Sequence, residues 1–143
     1  EATAQVRHVS RLFVTAASLR VPTFSVVLRK GYGLGAMGMT AGGFHAPVFT
    51  VAWPTGEFGA MGLEGAVRLG FRKELEALPE GAERDALFAK LLAKSYANGE
   101  AMHMAATLEI DAVIDPADTR AWLARGLASA QVAPLGHRFV DTW

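Results

Sequence analysis

Four glycines, Gly31, Gly33, Gly35 and Gly38, fall within eight residues directly after the apolar, β-branched run Thr23-Phe-Ser-Val-Val-Leu-Arg29. A run that is apolar on both alternating faces reads as a buried strand covered by helices on each side. Glycines at its end let the chain turn tightly and bring its backbone close to whatever packs there. The spacing then predicts a brief helix over residues 36–41, stopped by Gly42 and Gly43. A strand that turns into a helix N-terminus exposes backbone N–H groups. Those orphan donors, with the positive end of the helix dipole, can hold negative charge developing on an oxygen. The same glycines serve equally well in a tight turn with close helix packing and nothing more.

Around this segment the pattern alternates between helix and strand. Residues 2–19 carry Val6, Val9, Phe13, Ala16 and Ala17 at helical spacing, with Arg7 and Arg11 elsewhere, and end before Pro22. Residues 48–53 (VFTVAW) read as a second buried strand closed by Pro54, and 57–61 as a short third one. Helices are expected over 63–78, ended by Pro79, over 85–96, broken by Asn98 and Gly99, and over 102–108. Residues 110–114 (IDAVI) alternate as a strand. Asp115 as N-cap, Pro116 in the first turn and Asp118 near the positive dipole end predict a last helix to about residue 130. From Val132 the chain reads as irregular docking tail. No repeat or low-complexity segment interrupts the series, so one α/β unit is expected.

Composition narrows the function classes. Fourteen Lys and Arg balance fourteen Asp and Glu, so no net positive field gathers phosphates, and neither nucleic acid nor an anionic membrane is expected as a partner. Zero cysteine removes disulfides, thiolate nucleophiles and Cys-ligated zinc. No run approaches the roughly 18 apolar residues of a membrane span, and the opening Glu-Ala-Thr-Ala-Gln is not a signal peptide; a soluble, cytoplasmic protein is expected. A hydrophobic fraction of 51% and mean hydropathy of +0.22 suggest a large partner interface. Glu1 in place of Met, opening directly into a helical pattern, leads to the expectation of a chain truncated or processed at its N-terminus.

The other candidate groups point less sharply. Gly33-Leu-Gly35-Ala-Met-Gly38 satisfies the dinucleotide fingerprint G-x-G-x-x-G, and Glu57 lies about 20 residues beyond, near where an acid meets a ribose. Against that alternative, Gly42 and Gly43 interrupt the helix, and Glu57 follows Pro54-Thr-Gly instead of ending a strand. His8, His45, His103 and His137 lack metal-ligand spacing, so no metal is expected. His45, close behind Gly42 and Gly43, is the histidine nearest the candidate site. Glu57 and Glu64, set among apolar residues, are candidates for buried carboxylates, without a catalytic role. Met37, Met39, Met61, Met102 and Met104 are expected as core filler, Trp53 and Trp122 as packing residues, and the charge clusters at 72–76 and 83–85 as wet helix faces.

Several ordered motifs carry a family resemblance. Val21-Pro-Thr, Val27-Leu-Arg-Lys-Gly-Tyr-Gly-Leu-Gly-Ala, Ala52-Trp-Pro-Thr-Gly-Glu and Ala60-Met-Gly-Leu-Glu-Gly-Ala-Val resemble the carboxyltransferase (beta) subunits of propionyl-CoA and acetyl-CoA carboxylases. So does the later Asp111-Ala-Val-Ile-Asp-Pro-Ala-Asp-Thr-Arg, so the likeness runs from Val21 to about Arg125. It implies a crotonase-like (ClpP/crotonase) fold, with residues 1–143 as the C-terminal part of the carboxyltransferase C-domain. It also implies transfer of a carboxyl group from carboxybiotin to the alpha carbon of an acyl-CoA. In such enzymes the ureido oxygen of biotin is held by two backbone amides, which here are those of Leu34 and Gly35. A second amide pair on the N-terminal domain of another subunit serves the thioester, and a fragment without that domain is expected to be inactive alone. Gly33, Ala36 and Met37 would border the substrate, and Met37 stands at a position associated with acyl-chain choice, where some relatives carry a polar or acidic residue. The implied partners are the acyl-CoA, the biotin carboxylase component, the biotin carboxyl carrier that brings the cofactor on a separate domain or subunit, the N-terminal carboxyltransferase domain, and further copies in a homo-oligomer. Leu34, Met37 and Met39 are expected to wall the amides off from water.

Overall fold

A computed structural model describes residues 3–131. Helix α1, Gln5–Ala17, is followed by strands β1, Phe24–Val27, and β2, Lys30–Tyr32, and then by α2, Gly33–Met39. Strands β3, Phe49–Ala52, and β4, Glu57–Gly59, precede α3, Leu63–Gly70, α4, Arg72–Glu76, α5, Ala82–Asn98, and α6, Ala101–Ala106. Strand β5, Ala112–Val113, a 3-10 turn at Pro116–Asp118 and α7, Thr119–Ser129, complete the described chain. The expected tail from Val132, and His137 within it, lie outside the described residues.

The strands form two parallel sheets, ordered β1-β3-β5 and β2-β4. In the larger sheet Phe24 pairs with Phe49 and Val27 with Ala52, while Val51 and Ala52 pair with Ala112 and Val113. The central strand β3 is buried along its whole length, as a strand covered on both faces must be. On one side Ala52 joins Phe58, Ala101 and Ile110. On the other, Phe49, Val51 and Ile114 receive Trp53, Trp122 and Leu123. Each fully buried aliphatic or aromatic chain here contributes about 1.5–3 kcal/mol relative to exposure. Polar groups at this level are paired: the Thr50 hydroxyl donates to the Phe44 carbonyl (2.6 Å), and the Thr50 N–H donates to Asp111 Oδ2 (2.7 Å) while the Asp111 N–H returns to the Thr50 carbonyl (2.8 Å).

Several boundaries differ from the sequence expectation. The expected strand over 23–29 is shorter, at Phe24–Val27, and half-buried at three of its four positions because it is the edge strand; the chain then turns at Leu28 and Arg29 into β2, which joins the second sheet. The expected helix over 63–78 is interrupted after Gly70 at Phe71, whose ψ of 28° is not helical. The strand over 110–114 keeps only two residues, since Asp111 is spent on Thr50. Asp115 does cap, accepting from the Ala117 N–H at 2.8 Å, but the first turn is 3-10 before α7 begins.

Candidate active site

The Gly33 turn is built by the small sheet. Strand β2 pairs with β4 in the register Lys30↔Glu57, Gly31↔Phe58 and Tyr32↔Gly59. Tyr32, extended at φ −110°, is the N-cap of α2. The chain then enters the left-handed region at Gly33, φ +56°, where an added Cβ would lie 2.6 Å from the Ala60 carbonyl oxygen. A side chain is excluded there twice over, by backbone conformation and by contact. Helix α2 therefore starts at Gly33, three residues before the expected start at 36, and takes in Leu34, Gly35 and Ala36. Its far end is closed by the Thr40 hydroxyl on the carbonyls of Ala36 (3.0 Å) and Met37 (3.1 Å) and by the Gly42 N–H on the Met37 carbonyl (2.8 Å).

The first N–H groups of any α-helix have no intrahelical acceptor. Tyr32 provides no side-chain cap, and among the described residues no backbone hydrogen bond carries the Leu34 or Gly35 N–H to a carbonyl outside the helix. Leu34 is 65% exposed, and nothing lies within 4 Å of where a Cβ on Gly35 would stand. Two clefts flank α2. One, of about 480 Å³, is lined by Gly33, Met37, Phe44, His45, Ala60 and Glu109, among others. The second, of about 520 Å³, runs along β1 and reaches Ala36, Met39 and Thr40. The five candidate residues thus share one turn but not one cleft: Gly33 and Met37 line the first, Ala36 the second, and Leu34 and Gly35 stand on the open end of α2 and line neither.

The expected dry wall is not formed by this chain alone. Leu34, Met37 and Met39 are exposed, Met39 at 82%, because α2 is seven residues long and buries only Gly38, against Leu12 and Phe13 of α1. The methionines as a group are also not core filler: Met104 packs against the core, while Met61 and Met102 are exposed like Met37 and Met39. Trp53 and Trp122 do pack, Trp53 Nε1 donating to Thr119 Oγ1 at 3.0 Å and Trp122 meeting Phe49 edge-on at 5.5 Å.

The two carboxylates have phenol partners that sequence spacing did not reveal. The Tyr32 hydroxyl donates to Glu57 Oε2 at 3.2 Å, and Arg29 Nε lies 3.8 Å from Glu57 Oε1. Burial, then the neighbouring Glu57 carboxylate, pushes the Tyr32 phenol up to about 12. The Tyr96 hydroxyl donates to Glu64 Oε1 at 2.9 Å. Glu64 is exposed, not buried, and its own backbone N–H, then Tyr96, hold it below the usual carboxylate range. Glu57 opens β4 and is engaged by Tyr32, so it does not stand at a strand's C-terminal tip as the dinucleotide pattern requires. His45 is exposed at the mouth of the first cleft, and His8 and His103 are exposed on α1 and α6. Among the described residues no helix is long and apolar enough to cross a membrane.

Comparison with known proteins gives this geometry its context. The chain is 36% identical over 124 residues to the methylmalonyl-CoA carboxyltransferase 12S subunit of Propionibacterium freudenreichii subsp. shermanii, covering 85% of this chain and 23% of that one. It is 37% identical over 117 residues to the carboxyltransferase subunit of propionyl-CoA carboxylase from Haloferax mediterranei, covering 80% and 22%. Among solved structures it resembles a single-chain, multi-domain long-chain acyl-CoA carboxylase at 54% identity and TM-score 0.74, covering 87% of this chain and 12% of that one. It also matches the hexameric transcarboxylase 12S core at 30% identity and TM-score 0.80, covering 98% and 27%. The chain therefore spans roughly a quarter or less of the length of these relatives. The carboxyl transferase domain model matches residues 2–139, and the chain belongs to that family.

Proposed function

We propose that this chain is the C-terminal part of the crotonase-like C-domain of a biotin-dependent acyl-CoA carboxyltransferase, and that it supplies the biotin side of the active site. Biotin, carried on a separate domain or subunit, supplies the transferable carboxyl group, which passes to the alpha carbon of an acyl-CoA. The residues of this chain act by position. The N–H groups of Leu34 and Gly35 hold the ureido oxygen through charge-assisted hydrogen bonds, a task for which preorganised donors at a helix start suit a developing negative charge. Gly33 sets the turn that aims them, Ala36 borders the same ligand, and Met37 faces the acyl group from the apolar cleft. An N-terminal carboxyltransferase domain from a neighbouring copy would close the wall that Leu34 and Met39 leave open. The exposed apolar side chains Leu34, Met39, Met102 and Leu108 fit such covering, as they fit a homo-oligomer served by biotin carboxylase and carrier components in the cytoplasm.

The single observation that carries this reading is the pair of N–H donors at the start of α2 without a backbone acceptor among the described residues, in a chain of this family. The test is Gly35→Val in the full-length enzyme. Valine keeps the N–H, but its branched side chain fills the open space beside it and bars the ureido oxygen, so carboxyl transfer should fall on the order of 100-fold, the loss typical of an oxyanion donor taken out of use, with the fold intact by circular dichroism. An unchanged rate refutes the role of this turn.

A further inference from the structure

We propose that Tyr32, anchored by Glu57, is a positioning residue that fixes the direction in which the Leu34 and Gly35 amides point; this rests on the reading of the Gly33 turn given above. Strand β2 is only three residues long and ends directly in the turn, so few ladder bonds resist its rotation. Glu57 grips both ends of it. Its backbone N–H donates to the Arg29 carbonyl (2.6 Å) just before β2, and its carboxylate accepts from the Tyr32 hydroxyl (3.2 Å) at the last residue of β2.

The register explains how a phenol reaches that far. Lys30 and Tyr32 project on one face of the pair, opposite Glu57 and Gly59 respectively, and the diagonal neighbour of Tyr32 is Glu57. Gly59 leaves the intervening lane open: a Cβ there would come within 3.5 Å of Tyr32 Cδ1 and 2.8 Å of Leu63 Cδ2. On the other side of Tyr32 the chain bends at Gly33, pressed against the Ala60 carbonyl that follows β4. The ring and its hydroxyl thus tie the peptide immediately preceding the turn to the strand against which the turn is braced. A hydrogen bond to a carboxylate is among the stronger ones available to a neutral donor, and small displacements of reacting groups are costly to rate.

Tyr96 and Glu64 provide an internal control. They make the same phenol–carboxylate bond, at 2.9 Å, between α5 and α3, near enough for their charges to reach Tyr32 but with no hydrogen bond to β2 or the turn among the described residues. In the full-length enzyme, Tyr32→Phe should lower kcat for carboxyl transfer roughly tenfold or more, leave KM for the acyl-CoA within about twofold, and leave the enzyme folded at the assay temperature. Glu57→Ala should match it, and Tyr32→Phe with Glu57→Ala together should be no worse than either alone. Glu57→Gln, which keeps an acceptor for the hydroxyl, should restore most of kcat, and Tyr96→Phe should leave kcat unchanged. Should Tyr32→Phe fold poorly, the contrast between Glu57→Ala and Glu57→Gln decides the question. A response to Gly35→Val without one to Tyr32→Phe or Glu57→Ala overturns the positioning role alone, as does an equal loss in Tyr96→Phe or a loss confined to KM. Indifference to Gly35→Val overturns the reading of the turn on which the role depends.

Discussion

Gly33→Ala isolates what holds the turn in place. At φ +56° an alanine pays about 1–2 kcal/mol for the left-handed conformation. Its Cβ would also stand 2.6 Å from the Ala60 carbonyl oxygen, and that neighbour is backbone leading out of β4, so relief requires moving a strand end at an overpacking cost of roughly 1–3 kcal/mol. Loss of glycine's freedom in the unfolded chain returns about 0.4–1 kcal/mol. The net expectation is a destabilisation of about 2–4 kcal/mol, a large share of the ~5–15 kcal/mol typical of a domain. In equilibrium urea unfolding followed by tryptophan fluorescence, with slopes of ~1–3 kcal/mol per molar, the midpoint should fall by roughly 1–2 M. Gly35→Ala is the matched control: its Cβ meets nothing within 4 Å, and alanine in a helix is favoured by up to about 1 kcal/mol. Equal midpoints for the two variants, or a Gly33→Ala variant as stable as the parent, would falsify the account of a turn braced against Ala60.

Both tyrosines of the chain, Tyr32 and Tyr96, have phenols raised above 10, Tyr32 to about 12. Because the folded value is the higher one, the stability from the Tyr32–Glu57 bond is intact below pH 10 and is lost as pH climbs from about 10 towards 12, where a phenolate would face a carboxylate. An alkaline spectrophotometric titration should show the Tyr32 phenolate forming well above the ordinary value, towards about 12, and a normal titration of both tyrosines in the native protein contradicts it. Ile110→Ala, at a position 2% exposed and packed with Ala52, Phe58 and Ala101, should cost about 2–5 kcal/mol. In a thermal melt that is a drop on the order of 10 °C, and a shift of a degree or two would show that α6 and the loop before β5 do not share a core with β4.

What was legible in the sequence followed from local periodicity and local chemistry. The alternation of helices and strands, the buried strand over 48–53 and the Asp115 cap all depend on residues within a turn or two of one another, and each is present. What was not legible depends on partners far along the chain. Residues 30–32 read as the opening of the glycine turn after a strand over 23–29; they form a strand of their own, in a different sheet from 24–27, because they pair with β4 while 24–27 pair with β3. Glycine propensity argued against a helix over Gly33 to Gly35, and tertiary bracing by Ala60 and by α1 overrode it. The Tyr32–Glu57 bond required the register of the pair to be known first. One hint was present, the matching triplets Lys-Gly-Tyr and Glu-Phe-Gly, whose offset glycines make room for a diagonal contact.

The glycines themselves can now be sorted between a packing role and a binding role. A Cβ on Gly31 would come 3.3 Å from the Phe58 ring, one on Gly33 would meet the Ala60 carbonyl, and one on Gly38 would stand 2.9 Å from Leu12 Cδ2, so close packing accounts for all three. Gly35 is different. Its backbone is not in the left-handed region, its neighbourhood is open for 4 Å, and in a seven-residue helix it costs about 1 kcal/mol against alanine. A short helix is already poor at sustaining itself, so a stability argument favours a side chain there. Packing within the described residues leaves that glycine unexplained, as it does Gly43, Gly62 and Gly70, so openness alone does not single it out; its place at the start of α2 does, because there a side chain would stand between the N–H and the biotin oxygen proposed to approach it, or the domain proposed to cover it.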